Sequence, residues 1–571
     1  MTRKRTSQKR ISRRTLRIEG LERRCLLTGN VVVKVAGHSL FLTGDSGDNT
    51  AVVSGTGTAG QYLISDPSGT TNFKYKGTNN AAVTVNGITD SILADLDGGN
   101  NAFGLTNASL KDDVLVTTGN GSDFVAIGSG DTGLAGIGLA EITLGPVTVG
   151  GSIVVNTGGG NDTVDIGLAT TGAATATAVS VRGSVVIDTG GGNDTVNLGV
   201  ISVPTTGTAI RPLQVVTGTF AVAIRGDLVI NTGSTTGGGA DAVSENSTSV
   251  RGSEVINGGG SLDVTLSNST GVALEGVTTG QGDAIGHSLI FNLGAGTNSV
   301  DLYDVSVGDS LNFNAPRSTD SIDLTLVSVR HNVNISLGPG NDTITIGTEV
   351  VTAETTGTLV EIGGDLNINT AKGNTTLEEA SLSVGGSENV NLGNGTNGVF
   401  VNDDAADDEA SSNGTEGPVS IGRDLNVNFG SGVATLFVND ATVGHNLNVN
   451  HGSSGTTIDL EGVAVGRNIA IITGSGNDSI DFERGVTASD VFIDTGSGND
   501  SVVFELASGA TLNTFKTLEV FLGPGDDSLS ISDTTVTKSA FFDGGPGTDT
   551  LVLGGGNTFG KEKDVNFETF P

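Results

Sequence analysis

The residues best suited to chemistry in this chain are aspartates that follow glycines. Segment 465–504, VGRNIAIITGSGNDSIDFERGVTASDVFIDTGSGNDSVVF, contains Thr-Gly-Ser-Gly-Asn-Asp-Ser twice, and its Asp478 and Asp500 are 22 residues apart. Seven copies of the phrase keep glycines and acid in order, at Asp162, Asp194, Asp342, Asp478, Asp500, Asp527 and Asp549. Asp478, Asp500, Asp527 and Asp549 fall on successive copies of the phrase. Carboxylates stacked a strand spacing apart repel unless a cation or water separates them. These seven aspartates are therefore candidate metal ligands, with calcium the candidate ion. The same phrase also reads as a plain corner, in which Asp and Ser hydrogen-bond nearby backbone. On sequence both readings stay open.

Other chemistry is sparse. His38, His287, His331 and His445 occupy one kind of corner, where other coils place Arg182, Arg225, Arg251, Arg423 or Arg467. Exchange with Arg marks an exposed polar position, and no Cys accompanies the histidines to complete a zinc set. The chain has no Trp and three Tyr, Tyr62, Tyr75 and Tyr303, so the aromatic platforms of a sugar cleft are not evident. No nucleophile elbow, phosphate loop or zinc signature appears.

The aspartates are positioned by a repeat. The Asp478 position recurs at Asn49, Asn79, Asn101, Asp123, Asp162, Asp194, Asp241, Asp263, Asn298, Asp320, Asp342, Thr375, Asn397, Ala434, Thr457, Asp478, Asp500, Asp527 and Asp549. Most short intervals are 22 or within one of it, and the rest are longer, as insertions would make them. A period of this length signals a solenoid. Within it come a Gly-x-(Asp/Ser/Asn) corner and an alternating strand ending in Asn, such as Leu447-Asn448-Val449-Asn450. The Gly-rich turn, a second strand and a third short apolar run follow. Alternation at period two with β-branched residues reads as strand.

Three strands per period make one coil of an all-β, right-handed parallel β-helix, with about 19 coils and a length of roughly 90 Å at strand spacing. Asn292 and Asn314, Asn369 and Asn391, and Asn428 and Asn450 recur at the same interval, which predicts Asn ladders along the axis. Insertions at 167–180, 200–217, 268–284, 348–359 and 402–418 are expected to leave the helix as loops. The last of these carries Asp403, Asp404, Asp407, Asp408, Glu409 and Glu416. Segment 564–570 reads as a final amphipathic strand that caps the open end.

Composition agrees with an elongated acidic protein. Of 571 residues 90 are Gly, and one Cys, Cys25, rules out an internal disulfide framework. Residues 1–24 hold ten Lys/Arg against two Asp/Glu, and the remainder carries 18 against 61, a net of −43. Such a body repels nucleic acid and anionic lipid surfaces. Its apolar runs are too short to span a bilayer.

Two resemblances add to this reading. Gly158-Gly159-Gly160-Asn161-Asp162-Thr163-Val164 and Gly545-Pro546-Gly547-Thr548-Asp549-Thr550-Leu551 resemble the Gly-Gly-x-Gly-x-Asp-x-apolar-x repeat of the RTX calcium-binding proteins. The resemblance implies carboxylates of successive turns sharing calcium. The chain departs from that family in having one Gly-rich turn per 22 or more residues, and in losing the acid at Asn298, Thr375, Asn397, Ala434 and Thr457. Within the basic leader 1–30, Leu21, Glu22, Arg24, Leu26 and Leu27 resemble the Leu-Glu-x-Arg-x-Leu-Leu leader of large exported repeat proteins of planctomycete bacteria. That resemblance covers about 5% of the chain and implies export or envelope association. The expectation is an exported, non-enzymatic repeat protein, structural or adhesive at the cell surface. Its partners would be calcium and a surface or matrix polysaccharide or protein. The alternative is a carbohydrate-active β-helix enzyme.

Overall fold

The structure is a computed structural model that describes residues 29–128, 145–167, 169–170, 179–199, 201–202, 222–233, 239–267, 283–347, 360–402, 418–506 and 512–569. Residues 1–28 of the leader and most of the five expected insertions, with the acid-rich stretch 403–416, lie outside the described residues.

The chain is a parallel β-solenoid with three long sheets. The first sheet collects the strands that follow the Gly-x-(Asp/Ser/Asn) corner, for example Leu425–Phe429, Leu447–Asn450 and Asn468–Ile472. The second collects the strands that follow the Gly-rich turn, for example Thr456–Glu461, Ser479–Glu483 and Ser501–Phe504. The third is built from strands of two or three residues, such as Leu382–Val384. Each strand pairs in register with its counterpart one coil away, as Leu447 with Ile469 and Ile480 with Val502.

Alternation makes the core. Leu447 and Val449 are buried while Asn448 and Asn450 face out, and the same holds coil after coil. The interior is one continuous aliphatic cluster, reinforced where Phe291 stacks on Phe313 at 4.9 Å and Phe482 on Phe504 at 4.5 Å. Stacking identical side chains in this way buries apolar area without any large globular core.

Register differs from the sequence reading at three places. Ala434 aligns with Thr456 rather than Thr457, and Leu262 rather than Asp263 stands beside Asp241. A one-residue slip exchanges the two faces of a strand, so Thr457 and Asp263 turn outward and exposed. Asn79 leaves the stack altogether, because Thr78–Asn80 folds back antiparallel on Thr71–Tyr75. That hairpin belongs to an N-terminal cap. Gly29–Ala36 pairs antiparallel with Ser39–Thr43, and Gln61–Ser65 runs antiparallel between Thr50–Gly55 and Ala82–Asn86. Short hairpins thus cover the first coil, whose edge would otherwise be open to pairing. At the other end Glu562–Val565 pairs with Thr534–Asp543, and Thr569 bridges to Thr550.

Candidate functional site

The Gly-rich turns stack directly on one another. A Cβ on Gly498 would overlap the carbonyl oxygen of Gly476, one on Gly525 that of Gly498, and one on Gly192 that of Gly160. The carbonyl of each coil points at the Cα of the next, and only glycine leaves room for it. Gly498 also sits at φ +150°, a conformation L side chains rarely adopt.

On that frame the Asn-Asp dipeptide clasps both neighbouring coils. The Asn reaches forward: Asn477 Oδ1 accepts the Asn499 N–H at 2.9 Å, and Asn499 Oδ1 the Asp526 N–H at 3.0 Å. The Asp reaches back. Asp478 Oδ1 accepts the Thr456 N–H at 2.7 Å, Asp500 that of Asp478 at 2.9 Å, Asp527 that of Asp500 at 2.7 Å and Asp549 that of Asp527 at 2.9 Å. Asp162, Asp194 and Asp342 do the same for Asp123, Asp162 and Asp320. The series closes on Glu568, whose Oε2 takes the Asp549 N–H at 2.9 Å.

All seven predicted ligands therefore lie in one axial column, each no more than 3% exposed, and each spends Oδ1 on a backbone donor. Asn serves equally well: Asn101 and Asn397 accept the N–H groups of Asn49 and Thr375 through Oδ1. The second oxygen distinguishes the coils. Oδ2 of Asp162 accepts the Thr157 hydroxyl at 2.7 Å. Oδ2 of Asp194, Asp478, Asp500, Asp527 and Asp549 is buried without a hydrogen-bond partner. Burial pushes Asp162, Asp342 and Asp527 up to about 6, partly opposed by the backbone N–H each accepts, and raises Asp194, Asp500 and Asp549 as well. Calcium takes six to eight oxygens. One spare oxygen per coil, beside glycine carbonyls already packed on the next turn, fits such an ion only in part.

Elsewhere, stacked side chains form outward ladders. Asn312, Asn334, Asn367, Asn389, Asn426 and Asn448 donate amide to amide at 2.7–3.0 Å. A second column runs Asn369, Asn391, Asn428 and Asn450. Asn292 donates to Asn257, and Asn292 and Asn314 are register partners. His38, His287 and His331 are exposed and His445 half-buried. His451 is different: it is buried in the turn, with Nδ1 2.6 Å from the Thr456 hydroxyl and Nε2 2.8 Å from the Gly432 carbonyl.

Two features were missed from sequence. Asp481, Glu483 and Glu505 converge on the outer face of the second sheet, the one group among the described residues where three carboxylates come within 4.8 Å of each other. Burial and the neighbouring acids push Asp481 up to about 7. Adjacent Arg484 is engaged by Glu461 at 2.6 Å and Asp440 at 3.1 Å. Their signal was present in the Asp-x-Glu of Ser479–Glu483, which reads as an outward-facing acid pair. The other missed feature is a set of glutamates inside the core at Glu245, Glu254, Glu379 and Glu388.

No family model, curated protein or solved structure matches the chain.

Proposed function

We propose that the chain is an exported, non-enzymatic β-helical rod with a structural or adhesive role at the cell surface. What supports this most is the continuity of the axial bonding. Backbone pairing, the Asn-Asp clasp and the Asn ladders run from coil to coil, which suits a stiff spacer. The ingredients of a sugar-cleaving cleft are kept apart. Phe492, Phe521 and Phe541 form a row on the first sheet, whereas Asp481, Glu483 and Glu505 converge on the second. A shallow hollow near Arg317 is lined otherwise by Gly, Ala, Ser, Thr and Pro, and holds no carboxylate to act as acid or base.

Calcium enters this reading as a stabiliser rather than a requirement. Its ligands would be the unpartnered Oδ2 atoms of Asp478, Asp500, Asp527 and Asp549, on four successive coils. The partner would be a surface or matrix polysaccharide or protein, met through the inserted segments or the uncharged Asn columns.

The test is surface labelling of the cells that make the protein, together with binding of the purified full chain to their isolated envelope polysaccharide and protein fractions. Protein at the surface that binds one fraction without shortening its polymers is the expected result. Retention inside the cell, or depolymerisation of a polysaccharide, overturns the reading.

A further inference from the structure

Two pairs of glutamates stand where the repeat places aliphatic residues. In the second sheet Glu245 lies between Leu198 and Leu266, and Glu379 between Ile346 and Val401. In the first sheet Glu254 lies between Leu228 and Leu289, and Glu388 between Leu366 and Leu425. All eight neighbours are fully buried core residues, and the four glutamates are at most 1% exposed. The pairs are built alike: the same two positions of a coil change together, with the same spacing between them. An isolated buried acid would be a fault in the core. Two acids introduced as a matched pair, twice, point to a purpose for each other.

Within each pair the two glutamates act directly on one another in the core. No donor satisfies either oxygen of Glu245, Glu379 or Glu388, or Oε1 of Glu254, and all of these atoms are buried. Around Glu379 and Glu388 no other titratable or charged group acts among the described residues. Around Glu245 and Glu254 the facing group is Asp283 on the third sheet, with Asp304 behind it; Asp283 Oδ1 accepts the Thr248 N–H at 2.6 Å. Among the described residues no cation faces either pair. Two bare carboxylates side by side in an aliphatic core carry both a desolvation cost and mutual repulsion. One shared proton turns that repulsion into an O–H···O bond.

We propose that each pair is a proton-sharing joint, holding at least one proton between its two carboxyl groups through neutral pH, and that loss of this proton in alkali loosens its coil. The balance is simple: the pair releases H⁺ to solvent and is left with two negative charges in contact. Burial pushes Glu254 and Glu388 up to about 7 and raises Glu245 and Glu379 well above the usual carboxylate range, so the protons leave as a property of the pair. The unfolded chain ionises its glutamates near 4.3. Between that pH and about 7 and above, the folded state holds more protons than the unfolded one. Stability therefore falls as pH rises through this window. The rod is tightest in mildly acid surroundings, whatever its partner.

The experiment uses the full chain in chelator and its Glu388→Gln variant. Infrared spectra of the wild type at pH 7.5 should show the carbonyl stretch of a buried protonated carboxyl group, diminished in the variant. Thermal unfolding should give equal Tm values near pH 5 and a Tm a few degrees above wild type at pH 8.5, because Gln keeps the hydrogen bond without the charge. A wild-type spectrum with no protonated-acid band at pH 7.5 overturns the proposal, and needs no variant to fold. So does a variant less stable than wild type at both pH values, which would mean that an ionised pair is held by something other than a proton.

Discussion

Asp500 offers the sharpest test of how the Gly-rich turns work. Its Oδ1 accepts the buried Asp478 N–H at 2.9 Å, while its Oδ2 has no partner. Asp500→Ala deletes the acceptor and leaves a buried N–H unpaired, which costs about 1–3 kcal/mol. Asp500→Asn keeps the acceptor and adds an amide donor. The native chain shows where that donor goes, because Asn101 Nδ2 reaches the Thr118 carbonyl at 2.7 Å and Asn397 Nδ2 that of Gly393 at 2.7 Å. It also removes a buried charge. Asp500→Asn should therefore match or exceed the wild type at pH 8, and Asp500→Ala should fall below it by about 2 kcal/mol. Repeat arrays open locally, so amide exchange suits the question better than a single melting curve. Exchange at Asp478 should speed up about 30-fold in Asp500→Ala and stay unchanged or slow in Asp500→Asn. If both variants speed up alike, the carboxylate charge is what the turn needs, and the clasp is wrong as its explanation.

Other expectations follow from the same geometry. Gly192→Ala drives a Cβ into the Gly160 carbonyl at φ +152° and should cost about 3 kcal/mol in chemical denaturation. Gly191→Ala in the same turn meets open space and should be near neutral, which makes it the control. Asn389→Ala removes the bonds to Asn367 and Asn426 together and should cost about 1–2 kcal/mol. For pH, Asp162, Asp342 and Asp527 rise to about 6 in the fold, so the folded state binds the extra protons and stability falls as pH rises from about 4 to 6. Asp66 works the other way: against its burial, five hydrogen bonds from Ser68, Thr70 and Thr71 lower it, and its contribution is lost as pH falls from its unfolded value through its lower folded one. Tm measured from pH 3 to 9 should pass through a maximum on the acid side of neutrality.

Much of the architecture was readable because one physical rule repeats. Period-two alternation around Leu447 and Val449, with Gly at each corner, leaves little but stacked parallel strands. The Asn columns were readable in part, from the outer residues Asn369 and Asn391, while the inner column through Asn389 and Asn426 was hidden inside the same strands. The direction in which each side chain of Asn499-Asp500 reaches was not readable. It depends on the rise between coils, which no local pattern encodes. The acids at Asp263 and the hydroxyl at Thr457 drew the register one residue off, because a polar residue at a corner looks the same facing in or out. The antiparallel cap, 29–86, uses the same β-branched vocabulary as the coils and differs only in its tight turns. Ser253-Glu254 and Ser387-Glu388 did carry a signal, since Glu replaces the Leu that follows the corner in neighbouring coils.

The Gly-Asn-Asp turns clasp neighbouring coils through backbone N–H groups, and the solenoid is therefore expected to fold without metal. Thermal unfolding of the full chain followed by circular dichroism, in chelator, in magnesium and in calcium, tests it directly. A β-rich spectrum with cooperative unfolding in chelator, and a Tm raised only slightly by calcium, is the predicted result. A chain that is unfolded in chelator and acquires its β-structure only when calcium is added would contradict it.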